Sequence, residues 1–392
     1  MARLCFCNST IAWGGGERWH LEAALDMARR GHEVTLICRP DGALCEHAHP
    51  LAGSAGGGGL TVEPFAIGRL SFLNPLLRRR LTNFFRSRKI EALVMNLPAD
   101  LKAVGPAAQE AGTTRIIYRR GSALPVKNSA LNRRLYGTVI DRVIVNSRAT
   151  GELIPQGLIA PDRITLLPNG IDIAAFDAAL ARDCADPAGR SLEDWVAAAR
   201  RQGDPLILGS AGRLNRQKAQ HLFVFLGKAV EDLGRDVRLI LAGEGERRAE
   251  LEELARRQGI QERVFFAGFL KDLSPFWRSL DLFILTSLWE GFGYVVLEAM
   301  LAGVPPVAFA VSNIPDLVRH GENGLLFPLP HEPEAATPAT FADLRAVAQD
   351  ILAEAGTPEQ RQALGRQSRT LAKRFDQKKA MDTLEHLLLD RK

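Results

Sequence analysis

An α/β protein built from two Rossmann-like domains in tandem is predicted by three observations. At 392 residues the chain is too long for one ordinary core, so two domains of roughly 180–200 residues are expected. Short apolar runs alternate with helix-patterned segments, the mark of a parallel sheet wound with helices on both faces. The alternation then starts afresh after residue 205, with no internal sequence repeat.

The elements follow in order. Leu4–Asn8 reads as a buried first strand, followed by a glycine turn at Gly14–Gly16 and an amphipathic helix from about Glu17 to Arg30. Gly31-His32 stops that helix, and Val34–Cys38 is the second strand. Further strands are expected at Ala92–Met95, Arg115–Tyr118, Arg142–Val145 and Ile164–Leu167. No strand leads into Gly53–Gly59, so this run reads as a flexible surface loop rather than a phosphate loop. Asp183–Gly203 carries Pro187, Gly189 and a short helical pattern around Trp195, and reads as the interdomain connection. The second series is Leu206–Ser210, Arg238–Leu241, Val264–Ala267, Leu282–Leu285 and Pro306–Phe309. Leu329–Thr340 is a proline-rich spacer, and helical pattern dominates from Phe341 onward.

Composition is that of a soluble globular protein, 46% hydrophobic and 24% charged, with no 18-residue apolar run. The opening residues lack a signal peptide's long apolar region, and the five cysteines form no CxxC pair. Reduced thiols and a cytoplasmic location are therefore expected. Residues 1–180 hold 22 Lys+Arg against 15 Asp+Glu, and the remainder 28 against 30. A basic first half suggests an anionic partner there: membrane surface, phosphorylated glycan or nucleic acid.

The most informative stretch is 286–303, Thr-Ser-Leu-Trp-Glu-Gly-Phe-Gly-Tyr-Val-Val-Leu-Glu-Ala-Met-Leu-Ala-Gly. It follows the apolar run Phe283-Ile284-Leu285, so the order is strand, glycine-bearing loop, helix. That order aims free backbone N–H groups at whatever sits above the loop. Glu290 and Glu298 lie eight residues apart, about 12 Å if the run is mostly helical, which suits a grip on opposite ends of a sugar diphosphate. Three other segments end strands at the same sheet edge: Ala211–Lys218 with Arg213 and Lys218, Ala242–Glu246 with Gly243, and Phe266–Asp272 with Leu270. No Asp-x-Asp and no clustered His/Cys set is present, so neither metal nor cofactor is expected.

The Glu-x7-Glu pattern and these segments resemble the retaining family-4 glycosyltransferases of GT-B fold. So do Pro168-Asn169-Gly170-Ile171-Asp172, Gly303-Val304-Pro305 and His320–Leu326. The resemblance implies two facing Rossmann-like domains around a central cleft, residues 1–185 and 186–375, with a C-terminal helix 376–392 crossing back to the first. It implies a nucleotide-sugar donor, a UDP-sugar above all, and a cell-envelope glycan, glycolipid or other hydroxyl acceptor, as in lipopolysaccharide biosynthesis. By resemblance, Arg213 and Lys218 would hold the diphosphate, Glu298 the ribose, and Glu290 the transferred sugar. The backbone of Gly291, Phe292, Gly293, Tyr294 and Val295 would assist, with the Leu270 main chain at the nucleobase and Gly15 and Gly16 closing over the phosphate. No protein nucleophile is required by such a scheme.

One departure concerns the end of the fourth strand. Relatives often carry a His there, whereas this chain reads Tyr118-Arg119-Arg120-Gly121. Arg119 and Arg120 are either contacts to a charged sugar or acceptor phosphate, or exposed loop arginines. His20, nearest the glycine turn, reads as a helix-face residue. The basic stretch Arg69–Lys89 suggests a helix from Pro75 with Leu76, Leu77, Leu81, Phe84 and Phe85 on its apolar side. It docks on the sheet or meets an anionic membrane at the inner face, and no nucleic-acid motif appears. A nicotinamide dehydrogenase is disfavoured because Gly-x-Gly-x-x-Gly is missing and the second strand ends in Cys38-Arg39. A GT-B epimerase or phosphorylase, or a catalytically silent GT-B binding protein, are the alternatives.

Overall fold

The computed structural model describes residues 1–390 apart from 54–58, 123, 183–185 and 336. The loop reading of Gly53–Gly59 falls largely on residues outside those described, as does Cys184. The chain forms two compact units: Met1–Gly170 together with Gln377–Lys392, and Ile171–Asp376.

The first unit holds a seven-stranded parallel sheet. Its strands are β1 (Arg3–Asn8), β2 (Glu33–Cys38), β3 (Leu60–Pro64), β4 (Ala92–Met95), β5 (Arg115–Arg120), β6 (Arg142–Val145) and β7 (Ile164–Leu166), in spatial order β3-β2-β1-β4-β5-β6-β7. The second unit holds six parallel strands. They are β8 (Leu206–Ala211), β9 (Val237–Ala242), β10 (Val264–Gly268), β11 (Leu282–Leu285), β12 (Pro306–Phe309) and β13 (Leu325–Phe327), in order β10-β9-β8-β11-β12-β13. Both sheets therefore reverse direction of winding beside their first strand, between β1 and β4 and between β8 and β11. Ligands of open α/β sheets bind at such switch points, outside the strands' carboxyl ends.

Strands buried on both faces read as continuous apolar runs, which is why β1, β4, β8 and β11 are legible. β3 and β13 are not legible. β3 is an edge strand with exposed Thr61 and Pro64, and β13 has three residues.

Each unit has cores of its own on the two faces of its sheet. Helix Gly15–Arg29 packs Trp19, Ala23 and Met27 against Leu4, Phe6 and Leu36. The C-terminal helix Gln377–Leu389 adds Met381, Leu384 and Leu388 to that same core. Arg30, just past the first helix, ties it down through Asp382 and Glu385, both at 2.7 Å.

Two boundaries differ from the sequence reading. The first unit ends at Gly170, not 185, because Ile171 N–H donates to the Phe375 carbonyl and helix Ile173–Leu180 packs on the second unit's core. The stretch read as a connection contains a 16-residue helix, Pro187–Gln202, capped by Asp186 and burying Leu192 and Val196. Its alternation was hidden by five arginine and acidic positions on the solvent face between Arg190 and Arg201.

The basic stretch forms helix Pro75–Arg88, with Asn74 as cap accepting from Leu76 and Leu77 N–H. It buries Leu81, Thr82 and Phe85 on the first sheet, whereas Leu76 points to solvent at 77% exposure, contrary to its expected apolar-side place. Among the described residues no helix is long and apolar enough to cross a membrane.

Candidate functional site

In the second unit, the loops after β8 and β11 meet across the switch point. Lys218 Nζ lies 2.6 Å from Glu290 Oε1, and both side chains are largely buried. Ser287 Oγ donates to the same carboxylate oxygen at 2.5 Å. A buried ion pair is stable only when further hydrogen bonds satisfy its atoms, and Ser287 supplies one. Lys218 is itself held: its N–H donates to Asn215 Oδ1 at 3.1 Å, and its carbonyl accepts from Thr286 Oγ1 at 2.9 Å. Leu288 N–H to Gln217 O, and Gln217 Nε2 to Trp289 O, lace the two loops together.

Lys218 directly precedes Ala219, a buried residue in the left-handed region at φ 46° that leads into helix Gln220–Asp232. A non-glycine residue held there is strained, and such strain collects where a neighbouring group must be aimed.

Glu290 sits in the loop, not in the helix. The helix begins at Tyr294, after Gly293 at φ 83°, so the 12 Å helical span between Glu290 and Glu298 does not apply. Glu298 lies within helix Tyr294–Leu301, half-buried. Asn313 Nδ2 donates to the Phe292 carbonyl at 2.5 Å, and Ser312 Oγ accepts from Glu290 N–H at 3.1 Å.

The loops after β8, β9 and β10 are also joined. Gly212 N–H donates to Ala242 O, Leu214 N–H to Glu244 O, and Gly243 N–H to Gly268 O. Gly243, at φ 135°, has no room for a side chain, since a Cβ would overlap the Gly212 carbonyl. Arg213 is exposed beside this junction, with its carbonyl accepting from Gln220 Nε2. Leu270 is buried just beyond β10. The second unit thus brings Arg213, Lys218, Gly243, Leu270, Glu290, Gly291–Val295 and Glu298 to one edge of one sheet.

The first unit's edge is different. Gly14–Gly16 opens helix Gly15–Arg29, where Asn8 Nδ2 donates to Glu17 Oε1 at 3.0 Å. Arg119 and Arg120 are not loop residues. They end β5, 1% and 6% exposed, and point to opposite faces of the sheet. Arg119 donates to Asn96 Oδ1 at 3.0 Å and Asn169 Oδ1 at 2.7 Å, and lies 4.2 Å from the Trp19 ring centroid. Arg120 donates to the Leu124 carbonyl at 2.5 Å.

His20 is fully buried, with Nδ1 3.0 Å from the Gly16 carbonyl and Nε2 lacking a hydrogen-bond partner. Burial, reinforced by the Arg119 charge, pushes its pKa down to about 3. Asp100 bridges the β1 and β4 loops by accepting from Ser9 N–H at 3.4 Å and Leu97 N–H at 3.2 Å. Burial nevertheless raises its pKa to about 6.

Sequence reading alone does not single out Ser287, Ser312, Asn313, Asn96 or Trp19. Ser287 carries the faint signal of a hydroxyl three residues before Glu290; the others come from distant loops and have none.

Two family models match the chain: Glycosyltransferase Family 4 over residues 13–175 and Glycosyl transferases group 1 over residues 192–339. This chain belongs to the family-4 glycosyltransferases. Among its relatives, the lipopolysaccharide core biosynthesis mannosyltransferase LpsB of Rhizobium meliloti is 36% identical over 127 residues, which is 31% of this chain and 36% of that one. The uncharacterized glycosyltransferase MJ1607 of Methanocaldococcus jannaschii is 30% identical over 188 residues, 47% of this chain and 46% of that one. The matches thus span less than half the length of these curated relatives. The crystal structure of Anabaena Alr3699/HepE in complex with UDP superimposes with a TM-score of 0.76 over 99% of both chains at 22% identity. Both units therefore have the α/β architecture of GT-B glycosyltransferases.

Proposed function

We propose that this family-4 member transfers a sugar from a nucleotide-diphosphate sugar to a hydroxyl acceptor with retention of configuration. The observation that carries the reading is the Lys218–Glu290 bridge at the second unit's switch point. In the ligand-free protein each of these groups satisfies the other's charge, and a sugar diphosphate would separate their duties. Lys218 and Arg213 would stabilise negative charge building on the leaving diphosphate, a point charge and a fork respectively. Glu290, freed from Lys218 and oriented by Ser287 and Ser312, would accept hydrogen bonds from hydroxyls of the sugar. Glu298 would accept those of the ribose, while the loop Gly291–Val295 and the Leu270 main chain line the donor. Gly15 and Gly16 offer helix-start amides to a phosphate.

In the proposed step the acceptor oxygen bonds to the anomeric carbon on the face from which the diphosphate departs. The anomeric carbon–phosphate oxygen bond breaks, and the acceptor's proton passes to the departing phosphate. The products are a glycoside and a nucleoside diphosphate, with no metal or cofactor assigned a part. A UDP-sugar is the first donor to test, because Alr3699/HepE was crystallised with UDP. Envelope glycans or glycolipids are the first acceptors, because LpsB acts in lipopolysaccharide core biosynthesis by its name. Exposed Leu70, Leu73 and Leu76, close in sequence to Arg69, Arg78, Arg79 and Arg80, favour peripheral contact with an anionic membrane.

The test begins with thermal shift across nucleotide sugars, since a bound donor stabilises by mass action. Acceptor-dependent release of nucleoside diphosphate, with an α-linked product from an α-linked donor by NMR, is expected. An inverted product, or no release across the donor and acceptor panels, refutes the reading.

A further inference from the structure

We infer that Ser312 and Asn313, in the loop after β12, are positioning residues that clamp the Glu290 loop, and that the chain keeps Ser312 strained because its hydroxyl is needed there. Neither residue belongs to the sequence pattern around Glu290 and Glu298. The strand order places them. In the sheet order β8-β11-β12, Lys218 follows β8, Glu290 follows β11 and Ser312 follows β12, so the Glu290 loop lies between the two others.

Two hydrogen bonds run from this dipeptide to the Glu290 loop. Ser312 Oγ accepts from Glu290 N–H at 3.1 Å, and Asn313 Nδ2 donates to the Phe292 carbonyl at 2.5 Å. They hold the main chain on either side of Gly291, and so fix the backbone that carries the carboxylate. Gly293 then packs against Ile314, where a Cβ would come 3.0 Å from Cδ1. The clamp is itself anchored: Ala310 N–H donates to the Phe327 carbonyl, Ile314 N–H to that of Val311, and Asp316 N–H to that of Asn313.

Both residues are held against their own preference. Ser312 sits in the left-handed region at φ 51°, where a side chain is strained and stability alone favours glycine. Asn313 is 2% exposed, and its Oδ1 is buried with no hydrogen-bond partner among the described residues, a loss that native interiors rarely accept. Such costs collect where a functional group must be aimed. The group aimed here is the Glu290 carboxylate, in its buried pair with Lys218 at 2.6 Å. Ser287 fixes that carboxylate through its side chain, whereas Ser312 and Asn313 fix the main chain beneath it. With either bond gone the loop loosens, and Glu290 leaves Lys218 more often.

Acetylation of Lys218 by an N-hydroxysuccinimide ester, followed by peptide mass spectrometry, reads the clamp without any substrate, because Lys218 reacts only when Glu290 lets go of it. Lys228, in the helix that follows, is the internal reference, and Glu290→Gln sets the upper limit. Ser312→Gly, Ser312→Ala and Asn313→Asp should each speed Lys218 labelling about fivefold, the loss of one hydrogen bond. Asn313→Asp keeps the shape and replaces only the Nδ2 donor. Ser312→Gly should show this effect with a melting temperature no lower than that of the wild type, since glycine relieves the strain. Ser312→Ala keeps the strain and should melt below Ser312→Gly. In the kinetic arm, which rests on the transferase reading, kcat should fall about tenfold in all three variants with donor KM changed less than about twofold. The inference is overturned if Lys218 keeps its wild-type rate in Ser312→Gly and Asn313→Asp, or if an active enzyme keeps its kcat in both. It is also overturned if Ser312→Gly behaves as the wild type while Ser312→Ala does not, which traces the effect to backbone strain alone. Absence of sugar transfer by the wild-type protein, with Lys218 labelling changed as expected, counts against the transferase reading alone.

Discussion

The two units solve the same geometric problem with different groups. Each has a parallel sheet that reverses its winding beside its first strand, and each joins the two loops at the reversal. In the second unit the join is an ion pair, Lys218 with Glu290, beside which Gly212 leaves room for the Lys218 side chain and Gly243 lies against the Gly212 carbonyl. In the first unit the join is Asp100 receiving two backbone N–H groups, and the buried Arg119 at the end of β5 is held by Asn96, Asn169 and Trp19. A matched pair suits a ligand that carries both hydroxyls and phosphates. A shared fold thus says little about ligands; the side chains at the strand ends decide.

Changes at the second unit's join should have the largest effect. Lys218→Ala and Arg213→Ala are each expected to lower turnover by at least about 100-fold, comparable to losing one oxyanion-hole donor. Activity should persist in excess EDTA. Near-wild-type turnover in both variants, or a strict need for Mg²⁺ or Mn²⁺, would mean the diphosphate binds elsewhere.

The two carboxylates should separate in kinetics. Glu290→Ala should lower kcat more than it raises KM for donor, because contacts at the reacting sugar change most along the reaction. Glu298→Ala should chiefly raise KM. Equal changes in both parameters from both variants would remove the distinction between sugar and ribose roles.

Backbone crowding provides a stability test confined to the second unit. Gly243→Ala should destabilise that unit by more than about 1 kcal/mol, since its φ of 135° disfavours a side chain and the new Cβ would overlap the Gly212 carbonyl. Gly259→Ala, in the same unit at φ 71° with open space around it, is the control for strain without overlap. Equal urea midpoints for the two variants would mean the loops relax apart.

The smallest expected effect is a pH slope in the first unit. His20 has a folded pKa of about 3 against an ordinary 6.5, so its contribution is complete above about pH 6.5 and is lost as pH falls toward 3. Asp100, raised from 3.8 to about 6, acts the other way: its contribution is present below about pH 3.8 and lost as pH rises through 6. Urea midpoints measured from pH 4 to 8 should therefore fall less steeply toward acid in His20→Gln than in the wild type, and more steeply in Asp100→Asn. Identical slopes in all three proteins would place both groups in contact with water.

The sequence by itself determined most of the sheets and the residues at the second unit's edge. A strand buried on both faces must be apolar throughout, so Leu282–Leu285 announces itself. A glycine between a strand and a helix marks where backbone must turn tightly, so Gly291 and Gly293 point to Glu290. The edge strand Leu60–Pro64, with Thr61 and Pro64 exposed, carries no such requirement, Leu325–Phe327 is too short to show a pattern, and helix Pro187–Gln202 showed only as a short helical pattern around Trp195. Only the tertiary structure decided which groups meet. Lys218 and Glu290 are 72 residues apart, and Arg119 and Asn169 are 50 apart, yet each pair is in hydrogen-bond contact. Burial of Arg119 and Arg120, which local pattern leaves open, follows from where β5 ends beneath the helices that cover it. Local periodicity reports which face of an element is dry, whereas contact between two loops depends on the order of strands in the sheet. That order is a property of the whole unit.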